Sequence, residues 1–362
     1  MKKFYLSAAA AWIANGLMAS PMSYTPVGNL LAGADSVVVG SIESATQSGS
    51  SISVNVLVSR VVEGVLMPGS SVQILFESAT PPALPAAGRT SGIFFLKQNG
   101  GAWLLTPTVT GGAPFDQSYI PVPFGPLPPS YAYAASASAA TKLSFEIAAA
   151  AEDGGTGAVI ARIAGSGALD DLGQATLQPI WAQLSSSSSD LARAIGLGGQ
   201  IRAGSAPAIA AVASASPSGF TALAQDHLSA AVCAYRGTDP AGVASLGALA
   251  TSTYGDGMKF CAAHALRSVH TAAAVPLLAS LLDSGSLALQ YEAVAGIASF
   301  AMGLPVQTNA SVSNLGFLTL SGGVQEGASA MASNFPSQRT FLKAPQQYTS
   351  FWKNWLATHP AN

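Results

Sequence analysis

Charge is what this chain has least of. Only 9% of its 362 residues are charged, against roughly a quarter in ordinary soluble domains. The 15 Lys and Arg and the 17 Asp and Glu are scattered, and the net charge is −2. A nucleic-acid surface needs a basic stripe to displace counterions from phosphates, so nucleic acid is excluded as a partner. An acidic disordered tail is excluded as well. Catalytic signatures are also missing. There is no Gly-x-Ser-x-Gly elbow and no Gly-Lys-Ser or Gly-Lys-Thr phosphate loop. The stretch Gly327–Met331, around Ser329, only approaches the elbow. Ser350-Phe351-Trp352-Lys353 matches Ser-x-x-Lys, a match that 45 Ser and 7 Lys produce by chance. Gly154-Gly155-Thr156-Gly157 lacks a preceding strand and reads as a loop.

Long apolar runs are scarce too, with one exception. Lys2 and Lys3 precede the run Phe4–Ala19, and Pro21 follows. Basic, apolar, then small is the order of a cleavable export signal, expected here over 1–20. No cysteine follows for lipid attachment. Other uncharged stretches are broken by Gly and Pro, so no membrane span is expected in the mature chain. The expected location is secreted or periplasmic.

What is abundant is small: 68 Ala and 37 Gly, with an apolar share of 49%. Such a chain can bury a sizeable core and pack its elements closely. Residues 34–106 alternate as strands do. Ile52, Val54, Val56 and Val58 share one face, with Ser53 and Asn55 on the other. Strands are predicted at 36–42, over this segment, and at 71–76, 92–97 and 102–106. Asn99-Gly100-Gly101 is a hairpin turn signal between the last two. Five short strands suit a small barrel. Ala34–Gly40, Val61-Val62-Glu63-Gly64 and Phe94-Phe95-Leu96-Lys97 before a Trp strand together resemble a secreted OB-like, netrin-type barrel. The shape is also similar to metalloproteinase-inhibitor barrels.

Residues 107–140 carry seven prolines and read as a linker or draped arm. Its aromatics, Tyr119, Phe124, Tyr131 and Tyr133, either pin the arm onto a domain or form an exposed strip for a partner.

From 141 the period becomes helical. Met258, Cys261, Ala262, Ala265 and Leu266 fall on one helix face, as do Leu228, Ala231, Val232 and Tyr235. Arg202, Arg236 and Arg267 recur in register at helix ends, where they can satisfy terminal carbonyls or form a ladder toward an anionic partner. A period in the low thirties, two helices per unit, predicts a stacked array. Ala262–Arg267, Ala274–Leu278 and Tyr291–Ile297 resemble HEAT-like repeats, over about 188–303. That resemblance implies a curved surface for protein partners and no chemistry. In the tail, 304–362, Leu315–Leu318 reads as a short strand or loop. Tyr348, Phe351, Trp352 and Trp355 lie on one face of a closing helix.

The predicted fold class is α+β as separate domains: a five-stranded OB-like barrel (34–106), a Pro-rich linker (107–140), a short HEAT-like α-solenoid (141–303) and a C-terminal extension with an aromatic capping helix (304–362). Cys233 and Cys261 are read three ways: a disulfide, two buried thiols, or metal ligands with His264 and His270. The carboxylates Asp170, Asp171, Glu146 and Glu152 read as solvated or capping groups. No catalytic, cofactor or metal residue is assigned. The expected function is non-catalytic protein–protein binding or scaffolding in the cell envelope. The alternatives are a protease-inhibitor-like barrel and an envelope hydrolase with an inter-domain site.

Overall fold

In the computed structural model the described residues are 24–77, 91–106, 119–123, 125–303 and 333–359. The expected signal segment, Phe124, Leu315–Leu318 and Ser329 lie outside them. The chain divides into two compact units, one of Ser23–Gln200 and Ser218–Leu228, the other holding Ile201–Pro217 and Ser229–Asn362.

The first unit begins with a short helix, α1 (Val27–Gly33), which the sequence reading had not anticipated. The strands follow: β1 (Ser36–Ser48), β2 (Ser51–Glu63), β3 (Ser71–Glu77), β4 (Ser91–Asn99) and β5 (Ala102–Leu105). They pair in the order β1-β2-β3-β5-β4, and β4 pairs back to β1. The five strands therefore close into a barrel, as their number and spacing predicted. The β3–β5 pair is parallel and the other pairs are antiparallel. Closure demands strong coiling. β1 meets that demand with register shifts near Val37, Val39 and Ile42. It also has Gly40, where an added Cβ would lie 2.7 Å from the Leu57 carbonyl oxygen and against Val56. The β4–β5 turn is the expected Gly100-Gly101 pair, and both residues have positive φ. A further strand, β6 (Tyr119–Val122), comes from the segment read as a linker and pairs with the first half of β4.

Two cores meet at this barrel wall. Val38, Ile42, Ile52, Val54, Val56, Val58, Phe94 and Leu96 fill the interior. Their neighbours Val37, Val39, Ile93 and Phe95 point outward, and they are buried too. That explains why the apolar runs of β1 and β4 do not alternate: each has a core on both faces. The outer core is completed by α1 and by α2 (Ala139–Glu152), α3 (Gly157–Gly165), α4 (Gln174–Ser185) and the start of α5 (Asp190–Arg202). Glycine sets the α4–α5 approach. A Cβ at Gly196 would strike the backbone of Leu184 and Ser185, and one at Gly199 would strike the Trp181 ring. Ser138 caps α2 through the Thr141 amide, and Ser189 accepts from the Ala192 amide at the start of α5.

The second unit is helical. It contains α6 (Ala206–Ser214), the end of α7 (Ala222–Cys233), α8 (Pro240–Ala250), α9 (Asp256–Val269), α10 (Ala274–Leu281), α11 (Leu287–Ala301), α12 (Gln338–Phe341) and α13 (Pro345–Thr358). α8 packs on α6 and α9, α9 and α10 pack on α11, and α11 packs on α13. Met258, Ala262, Ala265 and Leu266 are buried as their period predicted. α11 is buried around nearly its whole circumference from Leu289 to Ser299. The tail aromatics close its far side: Tyr291, Phe341 and Tyr348 form a chain of ring contacts, and buried Trp352 donates its indole N–H to the Asn334 carbonyl.

Candidate binding site

One side of the barrel carries a pocket of about 350 Å³. Val39 and Ser41 on β1, Ser59 and Arg60 on β2, and Ser91 on β4 form one wall. Pro123, Gly125, Pro126 and Leu127 form the other. Val39, Ser41 and Ser91 face outward because the alternate positions fill the barrel, and the register shift at Val39–Gly40, where Arg60 pairs with Val39 and Val58 with Gly40, leaves Ser59 as an extra residue and brings Ser59 and Arg60 to the pocket together.

Arg60 ties this site together. Its Nε and Nη2 donate to Glu146 Oε1 and Oε2 at 2.7 and 2.8 Å, and its Nη1 donates to the Gly125 carbonyl at 2.7 Å. The pair is bidentate, which suits the planar guanidinium. Tyr133 adds a third donor, its hydroxyl 2.6 Å from Glu146 Oε1. Only 1% of the Glu146 side chain is exposed, against 21% of Arg60. Glu146 was expected to be solvated, and so was Glu152. The first expectation is wrong, and Glu152 is half-buried. α2 turns Glu146 into the outer core, where a charge persists only with a partner. Glu152 accepts from the Tyr131 and Ser187 hydroxyls, both at 2.8 Å. The electrostatics follow. Burial pulls the Arg60 pKa down, but the hydrogen bonds and charge of Glu146 hold it above its usual value. Burial pushes the Tyr133 phenol up, and Glu146 pushes it further.

The described arm aromatics, Tyr119, Tyr131 and Tyr133, are pinned. Tyr119 lies in the barrel core with its hydroxyl on the Ser91 carbonyl, Tyr131 lies in the outer core, and Tyr133 meets Phe145 edge-on. Two of the three serine protons of the pocket are also placed: Ser59 Oγ donates to the Val39 carbonyl, and Ser91 Oγ to the Val122 carbonyl.

The two cysteines are joined in a disulfide, with Cα atoms 4.3 Å apart. It ties the end of α7 to α9 around α8, and it excludes the thiol and metal readings of Cys233 and Cys261. His264 instead lies 3.3 Å from Glu292 Oε2, and His270 ends α9 in a left-handed conformation against Phe300. Among the described residues, no group of three or more His, Cys, Asp or Glu is placed to hold a metal ion.

The three register arginines do not share one role. Arg236 donates to the Cys233 and Tyr235 carbonyls, as expected at a helix end. Arg267 departs from that. It reaches Glu292 at 3.2 Å and lies over the Tyr291 ring. Glu292 is 2% exposed and has no apparent signal in its apolar neighbourhood. Burial alone would raise its pKa, but Arg267 and His264 outweigh that and hold it well below the usual value. Asp171 does cap a helix, but a distant one. It accepts from the Gly28 and Asn29 amides of α1. Ser350 is exposed, and Lys353 pairs with Asp283. No described helix is long and apolar enough to cross a membrane.

Comparison of the chain with models of known families, with curated proteins and with solved structures returns no match.

Proposed function

We propose that this is an exported, non-catalytic binding protein of the cell envelope. In this reading, residues 1–20 are an export signal, and the helices from about 188 to 303 are HEAT-like repeats that offer a surface to protein partners. The observation that carries the binding role is the pocket. It is concave, with Val39, three serines and Arg60 on the strand wall facing a proline segment, and it is braced from behind by a hydrogen-bonded ion pair, so it needs little reorganisation to receive a ligand. The disulfide supports the location, since such bonds persist in oxidising compartments.

The test is chemical crosslinking in intact envelope, followed by mass spectrometry of the purified chain. The expected results are a recovered protein partner and a mature chain lacking the leader, two hydrogens lighter than its reduced form. Recovery of no envelope partner, or a chain with its leader and both thiols free in the cytoplasm, overturns the reading.

A further inference from the structure

We infer that the barrel pocket binds an uncharged peptide segment, holding one backbone amide against Arg60 and the serines and one small apolar side chain against Val39, Leu127 and the prolines. This rests on the binding role proposed above and specifies what is bound.

Charge argues first. Arg60 is the cation of the pocket wall, and its charge is answered by Glu146 through two hydrogen bonds. A ligand carboxylate would compete with a carboxylate already held at ideal geometry and buried. A free ammonium would meet a guanidinium. An uncharged ligand meets neither cost.

Hydrogen-bond polarity argues second. Ser59 and Ser91 direct their protons to the Val39 and Val122 carbonyls, so each offers lone pairs to other donors. A guanidinium has five N–H donors. Three of those of Arg60 go to Glu146 and Gly125 and Tyr133 lies against the guanidinium as well, which leaves at least one. The pocket thus presents acceptors and donors side by side. A peptide unit carries one of each, in a fixed plane. Val39, Pro123, Pro126 and Leu127 supply apolar wall for the adjoining side chain. The remaining polar group, Ser41 Oγ, can rotate to either role.

The experiment is a titration of the isotope-labelled mature chain with N-acetyl-leucine amide, read by amide chemical shifts. N-acetyl-leucine, which ends in a carboxylate, is the parallel probe. The expected result is saturable shifts at Ser41, Ser59, Ser91 and Gly125 with millimolar affinity, as suits so small a ligand. The carboxylate probe should bind several-fold more weakly. Ser41→Trp, which fills the pocket and leaves the Arg60–Glu146 pair in place, should abolish the shifts. Should that variant lose its fold by circular dichroism, Leu127→Trp fills the pocket from the opposite wall. Absence of saturable shifts in the parent chain overturns the inference, and so does tighter binding of the carboxylate probe or unchanged binding in the filled variant. Crosslinking separates this inference from the broader role. A partner recovered equally by the parent and the filled variant removes the pocket and leaves the binding role standing. No partner with either removes the binding role, while the titration still decides the pocket.

Discussion

Removing the disulfide should loosen α8 and α9 by an amount set by the loop it closes. Cys233 and Cys261 are 28 residues apart in sequence. The loop-closure relation then gives about 12 cal/mol/K of unfolded-state entropy removed, or about 3.6 kcal/mol at 25 °C. The perturbation is Cys233→Ala with Cys261→Ala, compared with the oxidised and the reduced parent chain. The two compact units need not unfold together, so the assay must be local. Hydrogen exchange of peptides from α8 and α9 across a urea series meets that need. At the usual dependence on urea, the local midpoint should fall by between about 1 and 4 M. The reduced parent should behave like the double variant, because the lost constraint is the same. If the midpoints of the oxidised parent and the double variant coincide, the loop-entropy reasoning is wrong. If only the variant shifts and the reduced parent does not, the lost packing of the sulfurs is responsible instead.

Arg60→Met should destabilise the barrel unit by about 3–5 kcal/mol, because it leaves Glu146 buried without its counter-ion. Adding Glu146→Gln should recover much of that loss in a double-mutant cycle read by urea denaturation. Two additive losses would show that the pair is not coupled. Glu292 has a pKa held below its ordinary value, so its pairing stabilises the helical unit above the unfolded-state value of about 4.3. That stability should be lost as pH falls through the folded-state value of about 2. Thermal unfolding between pH 5 and 2 should therefore fall more steeply in the parent than in Glu292→Gln, at roughly constant ionic strength. Gly196→Ala should cost about 1–3 kcal/mol or more in urea denaturation, because its Cβ would meet the α4 backbone, which cannot turn aside as a flexible side chain can. An unchanged midpoint would mean that the two helices can separate freely.

The barrel strands were legible because strand period and turn chemistry are local. Ile52 to Val58 alternate, and Gly100-Gly101 supplies the positive φ that a tight hairpin needs. The helical faces around Met258 and Leu228 were legible for the same reason. β6 was not, since four residues inside a proline-rich stretch carry too little pattern. The β4 edge that recruits them is remote in sequence. The charged pairs were not legible either. Glu146 sits in a helix whose neighbours are mostly alanine, and its partner is 86 residues away. Nothing local distinguishes an acidic residue facing solvent from one facing a barrel. Glu292 is the same case, with Arg267 supplied by another helix.

By itself, then, the sequence determined most of the elements and their order, α1 and β6 excepted, because period, turn residues and capping act over a few positions. It also determined the low charge that excludes a nucleic-acid surface. Tertiary structure alone decided which faces meet. It put a second core outside β1 and β4, closed β1 onto β4, joined Cys233 to Cys261, and set Arg60 against Glu146 to brace the wall of a pocket. Those are long-range pairings, and their free energy depends on burial that no local window of sequence contains.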